Sequence, residues 1–301
     1  MSELPLISVC IPVYNSAVFT LVNSLFEQAK DHENKIEIVV IDDCSNSDWK
    51  LKNEEIKNLC HFIELPQNVG RSKIRNLFLN YSRGENLLFI DGDSEIISKS
   101  YLANYIEFVQ KHAPEVLVGG SVYQNSKPKR SQFLRWKYSI QRESKAAEIR
   151  KTNKLGFKTN NFLIRKSVFW EIPFNENLIG YGHEDTLFGI QLSRKKIKIQ
   201  HLENPVLNKH LDTNEVFLKK TENAISNLVQ IYLMIDQFPE IKEIKLICFY
   251  EKMVQQKLSS IVFLIYRISR PLLLKLLISG YFTLWLFDFY KFGLFVRKIK
   301  S

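Results

Sequence analysis

The first hundred residues alternate short apolar runs with segments of helical spacing, and no other feature restricts the fold as strongly. Residues 6–13, 36–41 and 86–90 are nearly continuous apolar runs, as strands buried on both faces require. Residues 19–30 and 72–81 carry apolar side chains at helical spacing. Buried strands separated by helices predict an α/β domain built on a parallel sheet that is covered on both faces.

Each of the three predicted strands runs directly into polar residues. These strand ends are Tyr14-Asn15, Asp42-Asp43 and Asp91-Gly92-Asp93. Ligands of open α/β sheets bind outside the carboxyl ends of the strands. The sequence therefore predicts a ligand site formed by these three strand ends.

The third strand end has the composition of a cation site. Two carboxylates that flank a glycine can hold a divalent cation, and the glycine lets the backbone approach a ligand closely. A nucleotide diphosphate needs such a cation, because its phosphate gains charge as the bond to it breaks. A solvated Asp-Gly turn is the alternative interpretation of Asp91-Gly92-Asp93.

Two further groups of residues favour a nucleotide as the ligand: the second strand end and a pair of arginines between it and the third. A carboxylate of Asp42-Asp43 can accept the imide N–H of a pyrimidine base or bind a ribose hydroxyl, unless it only forms an Asx turn or a helix cap. Arg71 and Arg75 lie four residues apart near a predicted helix start. Guanidinium groups there suit base stacking or phosphate contact, with surface salt bridges as the alternative.

Residues 7–93 resemble the nucleotide-binding half of family 2 glycosyltransferases, which have the GT-A fold, a Rossmann-like nucleotide-binding domain. The matching segments are Ile11-Pro12-Val13-Tyr14-Asn15, Val39-Val40-Ile41-Asp42-Asp43-Cys44-Ser45, Asn68-Val69-Gly70-Arg71 through Arg75-Asn76, and Phe89-Ile90-Asp91-Gly92-Asp93. The resemblance implies that Asp43 binds the base, Asp91 the ribose or sugar, and Asp93 the metal. Cys44 stands where the family usually has glycine, a departure expected to matter little.

The residues predicted to contact the nucleotide are Pro12, Tyr14, Asn15, Asp43, Asn68, Arg71, Arg75, Asp91 and Gly92.

Residues 179–192 contain a second acidic motif, Glu184-Asp185, after a glycine-containing turn. Carboxylates in a first helical turn are stabilised by the helix dipole, and the functional alternative is a general base. The block resembles the Glu-Asp motif of galactosyltransferases and chondroitin-type polymerases. That resemblance makes Asp185 the base of an inverting displacement and Glu184 a residue that orients acceptor hydroxyls.

The same resemblance points to a metal-binding histidine after the Glu-Asp motif. His210 lies about twenty-five residues beyond it, with His201 and His183 as weaker candidates. A carboxylate together with a neutral imidazole suits manganese. The predicted metal ligands are therefore Asp93 and His210, and the predicted cofactor is Mn²⁺ or Mg²⁺.

Positive charge is concentrated in two segments of a chain whose net charge is +10. Residues 127–158 hold eleven Lys or Arg against two Glu, and residues 242–301 hold eleven against three acidic residues. Such blocks suggest contacts with substrate phosphates, an anionic membrane face or nucleic acid. Four scattered cysteines and the lack of a basic stretch before the first apolar run favour a reduced, cytoplasmic protein without a secretory signal.

The last sixty residues differ in composition from the rest. The stretch between Arg270 and Asp288 has seventeen residues and contains Lys275. A membrane-spanning helix needs about twenty consecutive, largely apolar residues. Two amphipathic helices in the membrane interface are therefore predicted, and packing on the catalytic domain or in a homodimer is the alternative. The predicted domains are a catalytic domain over residues 1–238, with a basic insertion at about 124–158, and a membrane-association region over 239–301.

Together these features predict an inverting, metal-dependent glycosyltransferase of the hexosyl or N-acetylhexosaminyl type. The expected donor is a UDP-sugar, and the acceptor a hydroxyl of a glycan or lipid-linked glycan in surface polysaccharide or lipopolysaccharide synthesis. The expected location is the inner face of the cytoplasmic membrane, without nucleic acid. The alternatives are a nucleotidyltransferase, although residues 12–16 are not a Gly-rich loop, and a non-enzymatic basic membrane-associated protein.

Overall fold

The computed structural model describes residues 5–32, 34–152 and 157–300. They group into two compact units, the first formed by Met1–Gln124, Ser144–Asn177 and Gln191–His210 and the second by Asn125–Glu143, Leu178–Ile190 and Leu211–Ser301. The predicted boundary between residues 238 and 239 falls within the second unit. Two predictions fall partly outside the described residues. Residues 1–4 belong to the N-terminal segment predicted to lack a secretory signal, and residues 153–156 belong to the predicted basic insertion.

The strands belong to the first unit. In chain order they are β1 (Ile7–Val13), β2 (Ile36–Asp42), β3 (His61–Glu64), β4 (Asn86–Ile90), β5 (Ser94–Ile96), β6 (Val116–Val118), β7 (Ser121–Tyr123), β8 (Asn161–Arg165), β9 (Ile199–His201) and β10 (Val206–Asn208). One sheet has seven strands in the order β3-β2-β1-β4-β8-β6-β9, and a second has three in the order β5-β10-β7.

The helices follow the predicted pattern in the first hundred residues and extend it beyond. In chain order they are α1 (Phe19–Ala29), α2 (Ser47–Lys52), α3 (Arg71–Tyr81), α4 (Tyr101–His112), α5 (Phe133–Tyr138), α6 (Ala147–Lys151), α7 (Lys166–Glu171), α8 (Glu184–Arg194), α9 (Asn214–Tyr232), α10 (Lys245–Gln255), α11 (Ser259–Ser279) and α12 (Leu284–Lys300).

The large sheet is mixed: the predicted parallel arrangement is confirmed for every neighbouring pair, including β6 with β9, except the two pairs that β8 makes. β1 pairs in parallel with β2 and β4, and β2 pairs in parallel with β3. β8 runs antiparallel to both β4 and β6. The first four residues of β8 are buried in the same way as the parallel strands. Burial on both faces reveals a central strand but does not encode its direction.

The core of the first unit lies on the two faces of this sheet. On one face Ile11 and Ile90 belong to the same buried cluster as Val22 of α1. On the other face Phe89 stacks on Phe162 at a ring separation of 4.9 Å. Because every residue of β4 is buried, this strand lies at the centre of the unit, and its carboxyl end is held in one position.

A buried polar cluster joins β8 to the neighbouring elements. The Asn161 side chain accepts hydrogen bonds from the hydroxyls of Tyr101 (2.6 Å) and Tyr105 (2.7 Å). It donates to the carbonyls of Gly120 (2.8 Å) and Asn204 (2.9 Å). All of its polar atoms are satisfied, so Asn161 is a structural residue rather than a surface group facing a ligand.

The predicted basic insertion at 124–158 contains the helices α5 and α6. In the second unit its arginines pack against neighbouring side chains. The Arg130 guanidinium lies 4.5 Å from the ring of Tyr281, and Arg142 pairs with Asp288 at 3.1 Å. These arginines stabilise the unit through ring and ion-pair contacts.

The C-terminal helices form a packed pair. The ring of Tyr266 in α11 lies so close to Gly293 of α12 that a Cβ there would be 2.1 Å from it. The Tyr290 hydroxyl donates to Glu222 of α9 at 2.8 Å. Within residues 5–32, 34–152 and 157–300, no helix combines the length and the apolar character that crossing a bilayer requires.

We expect Asn161→Ala to lower the free energy of unfolding by about 3 kcal/mol, because two carbonyls and two buried hydroxyls each lose a hydrogen bond. Denaturant unfolding of the full chain measures the change. Asn58→Ala, at an exposed position, serves as the control and should change the stability by less than about 0.5 kcal/mol. Equal stabilities for the two variants would contradict the structural role of Asn161 in the buried polar cluster.

Candidate functional site

The segments that follow β1 and β2 are bonded to each other. The backbone N–H of Asp43 donates to the carbonyl of Val13 at 2.8 Å. The N–H of Asn15 donates to Ser45 Oγ at 2.8 Å, and the Asn15 side-chain oxygen accepts from the N–H of Asn46 at 2.9 Å. Asn15, predicted to contact the nucleotide, thus also fixes the two strand ends relative to each other.

The two neighbouring aspartates have different environments. Asp42 is fully buried, and its Oδ1 accepts from the backbone N–H of Ser45 at 2.6 Å, which is the turn that the sequence allowed as an alternative. The Asp43 carboxylate accepts from the backbone N–H groups of Val69 (2.7 Å) and Gly70 (3.0 Å). Asp43 therefore holds the segment before α3 against the end of β2.

Asn68 reinforces this arrangement, since its Nδ2 donates to the Asp43 carbonyl at 3.1 Å. Each Asp43 carboxylate oxygen has a second lone pair, so the group can still accept the N–H of a base. Cys44 has a φ of 62°, in the left-handed region. A non-glycine residue there carries a strain of about 1–2 kcal/mol, which gives a physical reason for the glycine of the family pattern.

An ion pair between a buried arginine and a partly exposed aspartate joins α3 to the end of β4. Arg75, 2% exposed, donates from Nη2 to Asp91 Oδ1 at 2.6 Å. Its Nη1 donates to the carbonyl of Arg71 at 3.0 Å, and the Arg71 guanidinium lies 3.7 Å from the second Asp91 oxygen. Asp91 also accepts at its backbone carbonyl from Ser94 and donates from its N–H to Asn160. Asp91 is therefore held in place by both its side chain and its backbone.

Gly92 lies against the end of β1. A Cβ at this position would be 3.1 Å from Cγ1 of Val18 and 3.3 Å from the carbonyl oxygen of Pro12. The close approach of two backbone segments leaves little room for a side chain. Tyr14, which follows β1, is 54% exposed, and its ring is accessible for stacking on a base.

Asp93 and His210 are brought together by strand pairing. β5 pairs antiparallel with β10, with Ser94 opposite Asn208. Asp93 immediately precedes β5, and His210 follows β10 by two residues, so both lie at the same end of this ladder. Sequence spacing did not reveal this pairing, because both strands have only three residues.

The charges around Asp93 interact with one another. The pKa of the Asp93 carboxyl is raised, because surrounding protein atoms reduce its hydration and because the Asp91 carboxylate is nearby. Arg71 and His210 act in the opposite direction. Asp93 therefore lies between acidic and basic neighbours, and a bound cation would relieve its repulsion from Asp91.

The donor atoms at this position fit a divalent cation. Carboxylate oxygen and imidazole nitrogen, offered by Asp93 and His210, suit Mn²⁺. In the part of the chain that the structure describes, no group of three or more His, Cys, Asp or Glu side chains is arranged around one ion position. Sites that bind a metal together with a substrate diphosphate use one or two protein ligands, and phosphate oxygens or water supply the remainder.

His201, a weaker candidate for metal binding, is half-buried in β9. Burial and the nearby Arg150 and Lys151 lower its pKa to about 4. The ring is consequently neutral at physiological pH.

Glu184 and Asp185 belong to the second unit, where they form the first turn of α8. Glu184 is buried, and Asp185 Oδ1 accepts from the backbone N–H of Thr186 at 2.7 Å. The preceding turn has positive φ at Gly180, Gly182 and His183.

Helix α9 supports this turn within the second unit. A Cβ on Gly182 would lie 2.6 Å from Cβ of Ala224, and the Gly182 carbonyl accepts from Asn227 at 2.9 Å. A glycine is therefore required for both its φ and its contact. The sequence revealed the glycines of this turn but not the helix that holds it.

A cavity of about 640 Å³ occupies the opposite edge of the large sheet. Its lining includes Leu6 before β1, Asn86 at the start of β4 and Arg165 at the end of β8. None of the predicted site residues lines it. The candidate site is instead the group of strand ends on the carboxyl side of β1, β2 and β4.

Comparison with known proteins agrees with this geometry. The sequence model described as Glycosyl transferase family 2 matches residues 8–173. The poly(ribitol-phosphate) beta-N-acetylglucosaminyltransferase TarS of Staphylococcus aureus (strain Mu50 / ATCC 700699) is 34% identical over 116 residues, which are 37% of this chain and 20% of TarS. TuaG of Bacillus subtilis (strain 168), a glycosyltransferase assigned to teichuronic acid biosynthesis, is 30% identical over 114 residues, 36% of this chain and 44% of TuaG. The chain thus matches less than half the length of these relatives.

Solved structures show the same fold. The mannosyltransferase PcManGT from Pyrobaculum calidifontis, in complex with GDP-Man and Mn²⁺, has a TM-score of 0.54 at 15% identity and covers 76% of this chain and 65% of its own. S. aureus TarS 1-349 in complex with UDP has a TM-score of 0.50 at 20% identity and covers 98% of this chain and 92% of its own. At these identities the likeness concerns the fold, and it confirms the predicted GT-A-like α/β architecture.

We expect Arg75→Met to lower the free energy of unfolding by about 3 kcal/mol, because it leaves Asp91 without its buried cation. Arg83→Met is the matched control. Arg83 pairs with Glu37 at 2.9 Å, but its side chain is 69% exposed, so the loss should be below about 1 kcal/mol. Chemical denaturation of both variants provides the measurement. Similar losses of unfolding free energy would show that the Arg75–Asp91 pair stabilises the protein no more than the exposed pair.

Proposed function

The chain belongs to glycosyl transferase family 2, and we propose that it transfers a sugar from a nucleotide-diphosphate sugar to a hydroxyl of a glycan acceptor. The proposed donor is UDP-linked, and the sugar is a hexose or an N-acetylhexosamine. The reaction is a single displacement at the anomeric carbon, with inversion of configuration.

One observation carries this proposal. A series of contacts at these strand ends joins Asn15 to Ser45, Ser45 to Asp42, and Asp43 to Val13 and Gly70. Arg71 and Arg75 are joined to Asp91. Asp93 and His210 extend this series through their electrostatic interaction. Residues from five separate parts of the chain thus meet at one sheet edge, which is where α/β folds bind nucleotides. A solvated turn or isolated surface ion pairs would not require this convergence.

The donor's base and ribose are assigned to the first part of this series. Asp43 is fixed by two backbone N–H groups and can accept the imide N–H of uracil. Tyr14 is accessible for stacking on the ring, and Asp91 is oriented by Arg75 toward a ribose or sugar hydroxyl. Arg71, which lies beside Asp91, is assigned to the diphosphate.

Asp93 and His210 are assigned to a divalent cation. When bound, the cation neutralises charge that builds up on the diphosphate as the sugar is released. The residues of this chain hold that position through the β5–β10 ladder, which places them at the same end.

Asp185 is assigned to the acceptor. Its carboxylate takes the proton of an acceptor hydroxyl while that oxygen forms a bond to the anomeric carbon. The bond between this carbon and the phosphate oxygen breaks, and its electron pair leaves with the nucleotide diphosphate. The buried Glu184 is assigned to orienting acceptor hydroxyls. This assignment is supported by the glycine turn and by α9, which hold the start of α8 rigidly.

The proposed acceptor is a hydroxyl of a surface polysaccharide or of its lipid-linked precursor. The names of TarS and TuaG refer to poly(ribitol-phosphate) and to teichuronic acid biosynthesis.

A thermal-shift screen with UDP-, GDP- and dTDP-sugars, with and without Mn²⁺, identifies the donor. Release of UDP from the donor then supports glycosyl transfer, whereas release of pyrophosphate from a nucleoside triphosphate would favour nucleotidyl transfer.

Replacing the proposed metal ligands should separate metal-dependent from metal-independent binding. We expect Asp93→Ala and His210→Ala to weaken UDP binding in the presence of Mn²⁺ by roughly tenfold or more, as loss of a ligand or its support does at metal sites. Binding without Mn²⁺ should change little. Isothermal titration calorimetry measures both, with His61→Ala, at an exposed position, as the control. An undiminished effect of Mn²⁺ in Asp93→Ala would remove this residue from the metal site.

Asp185→Asn should abolish sugar transfer and leave UDP binding intact, because the amide cannot accept the hydroxyl proton but has nearly the same shape. A loss of roughly 10²–10⁴-fold in turnover is expected for a general base. Asp48→Asn, exposed in the first turn of α2, should behave like the wild type. Normal turnover by Asp185→Asn would exclude it as the base, while the donor site could still be correct.

A further inference from the structure

Helix α11 of the second unit has an uncovered apolar face. Its members recur at helical spacing and are Ile261 (56% exposed), Leu264 (48%), Ile265 (53%), Ile268 (73%) and Leu272 (60%). We call these five side chains the α11 stripe. From residue 261 to residue 272 a helix rises about 16 Å. Isolated exposed apolar residues are common, but five on one face form a continuous patch.

The opposite face of α11 explains why the helix forms without this patch being covered. Tyr266, Leu273 and Leu277 are buried. The Tyr266 ring contacts the rings of Phe289 and Tyr290 in α12. The stripe is therefore not needed to attach α11 to its own unit, and its exposure has another cause.

Positive charge surrounds the stripe. Lys257 precedes the helix, and Arg267 and Lys275 lie on it; all three are exposed. Lys300 of α12 donates to Ser260 at 3.1 Å, which places another cation beside the start of α11. The sequence of α11 contains no Asp or Glu.

Two acidic residues of the neighbouring helices already have partners. Glu222 of α9 accepts from the Tyr290 hydroxyl, and Asp288 of α12 lies 2.8 Å from Lys291. The surface around the stripe therefore combines apolar side chains with positive charge.

We propose that the α11 stripe docks on an anionic lipid surface, with α11 lying in the plane of the membrane interface. This inference goes beyond sugar transfer and does not depend on it. The apolar side chains enter the boundary between headgroups and acyl chains, and the four cations contact the anionic headgroups. Long basic side chains can reach the headgroups while their methylene stems remain among apolar groups. The charge pattern favours a lipid surface over a second copy of this face, because two such faces would bring like charges together.

Co-sedimentation of the full chain with vesicles tests the proposal. Binding is expected with vesicles of phosphatidylcholine and phosphatidylglycerol and should be weak with phosphatidylcholine alone. The double variant Ile268→Glu, Leu272→Glu should reduce the bound fraction by roughly tenfold or more, because each change places a charge in the interface. Leu51→Glu, at a residue 78% exposed in the first unit, is the matched control and should bind like the wild type.

A charge variant separately tests the electrostatic contribution of the cations to vesicle binding. Lys257→Gln with Lys275→Gln should weaken binding to the anionic vesicles by about thirtyfold, at about 1 kcal/mol for each cation, and high salt should weaken wild-type binding in the same direction. The midpoint of thermal unfolding without ligand, measured in parallel, should be the same in every variant and shows that they are folded; the further rise caused by UDP should also be the same. Loss of UDP binding by the wild type would reject the donor site without affecting this test.

Two results would overturn the proposal. The first is wild-type binding to vesicles that persists in the Ile268→Glu, Leu272→Glu variant. The second is an absence of wild-type binding to the anionic vesicles. A dimer in analytical ultracentrifugation that this double variant dissociates would then make the stripe a contact between copies of the chain.

Discussion

The parallel pairing of β1 with both β2 and β4 is the constraint on which the candidate site depends. In this register Val13 lies opposite Asp42, and Cys10 lies opposite Phe89. The three carboxyl ends consequently reach the same edge of the sheet, although they are separated by tens of residues along the chain. Helix α3 is then attached at this edge from both sides, by the Asp43 carboxylate at its start and by the Arg75–Asp91 pair one turn further on. The short β5–β10 ladder adds Asp93 and His210 to the same unit.

The acidic residues at this edge divide between structural and ligand-binding roles. Asp42 is used within its own turn, whereas Asp43 and Asp91 each hold α3 and keep oxygen lone pairs for a ligand. Asp93 is different, since the pKa of its carboxyl is raised by reduced hydration and by the nearby Asp91. A site in which most charges are already oriented needs little rearrangement when a charged ligand binds. This pre-organisation is the physical basis for assigning donor binding to the first unit.

Sequence reasoning recovered the local elements of the first hundred residues closely. The predicted segments 36–41, 72–81 and 86–90 became β2, α3 and β4 with bounds shifted by at most one residue. It missed β3, a strand of only four residues, and it missed α4, although α4 carries buried apolar residues at helical spacing. It could not show that β8 is antiparallel. It also assigned the arginines of the basic segment to anions, whereas Arg130 and Arg142 contact Tyr281 and Asp288. A count of charges along the chain does not reveal which of them meet aromatic rings or carboxylates after folding.

The sequence by itself determined the α/β class, the order of the early strands and helices, and the residue types at each strand end, because periodicity and motif spacing are local properties. Only the tertiary structure decided which of these residues meet. The bonds from Asp43 to two backbone N–H groups and the position of His210 beside Asp93 depend on pairings between distant segments. So does the exposure of the α11 stripe, since the same apolar pattern describes a buried helix face and an uncovered one. Contacts of this kind involve backbone groups and neighbours far apart in sequence, and no local pattern records them.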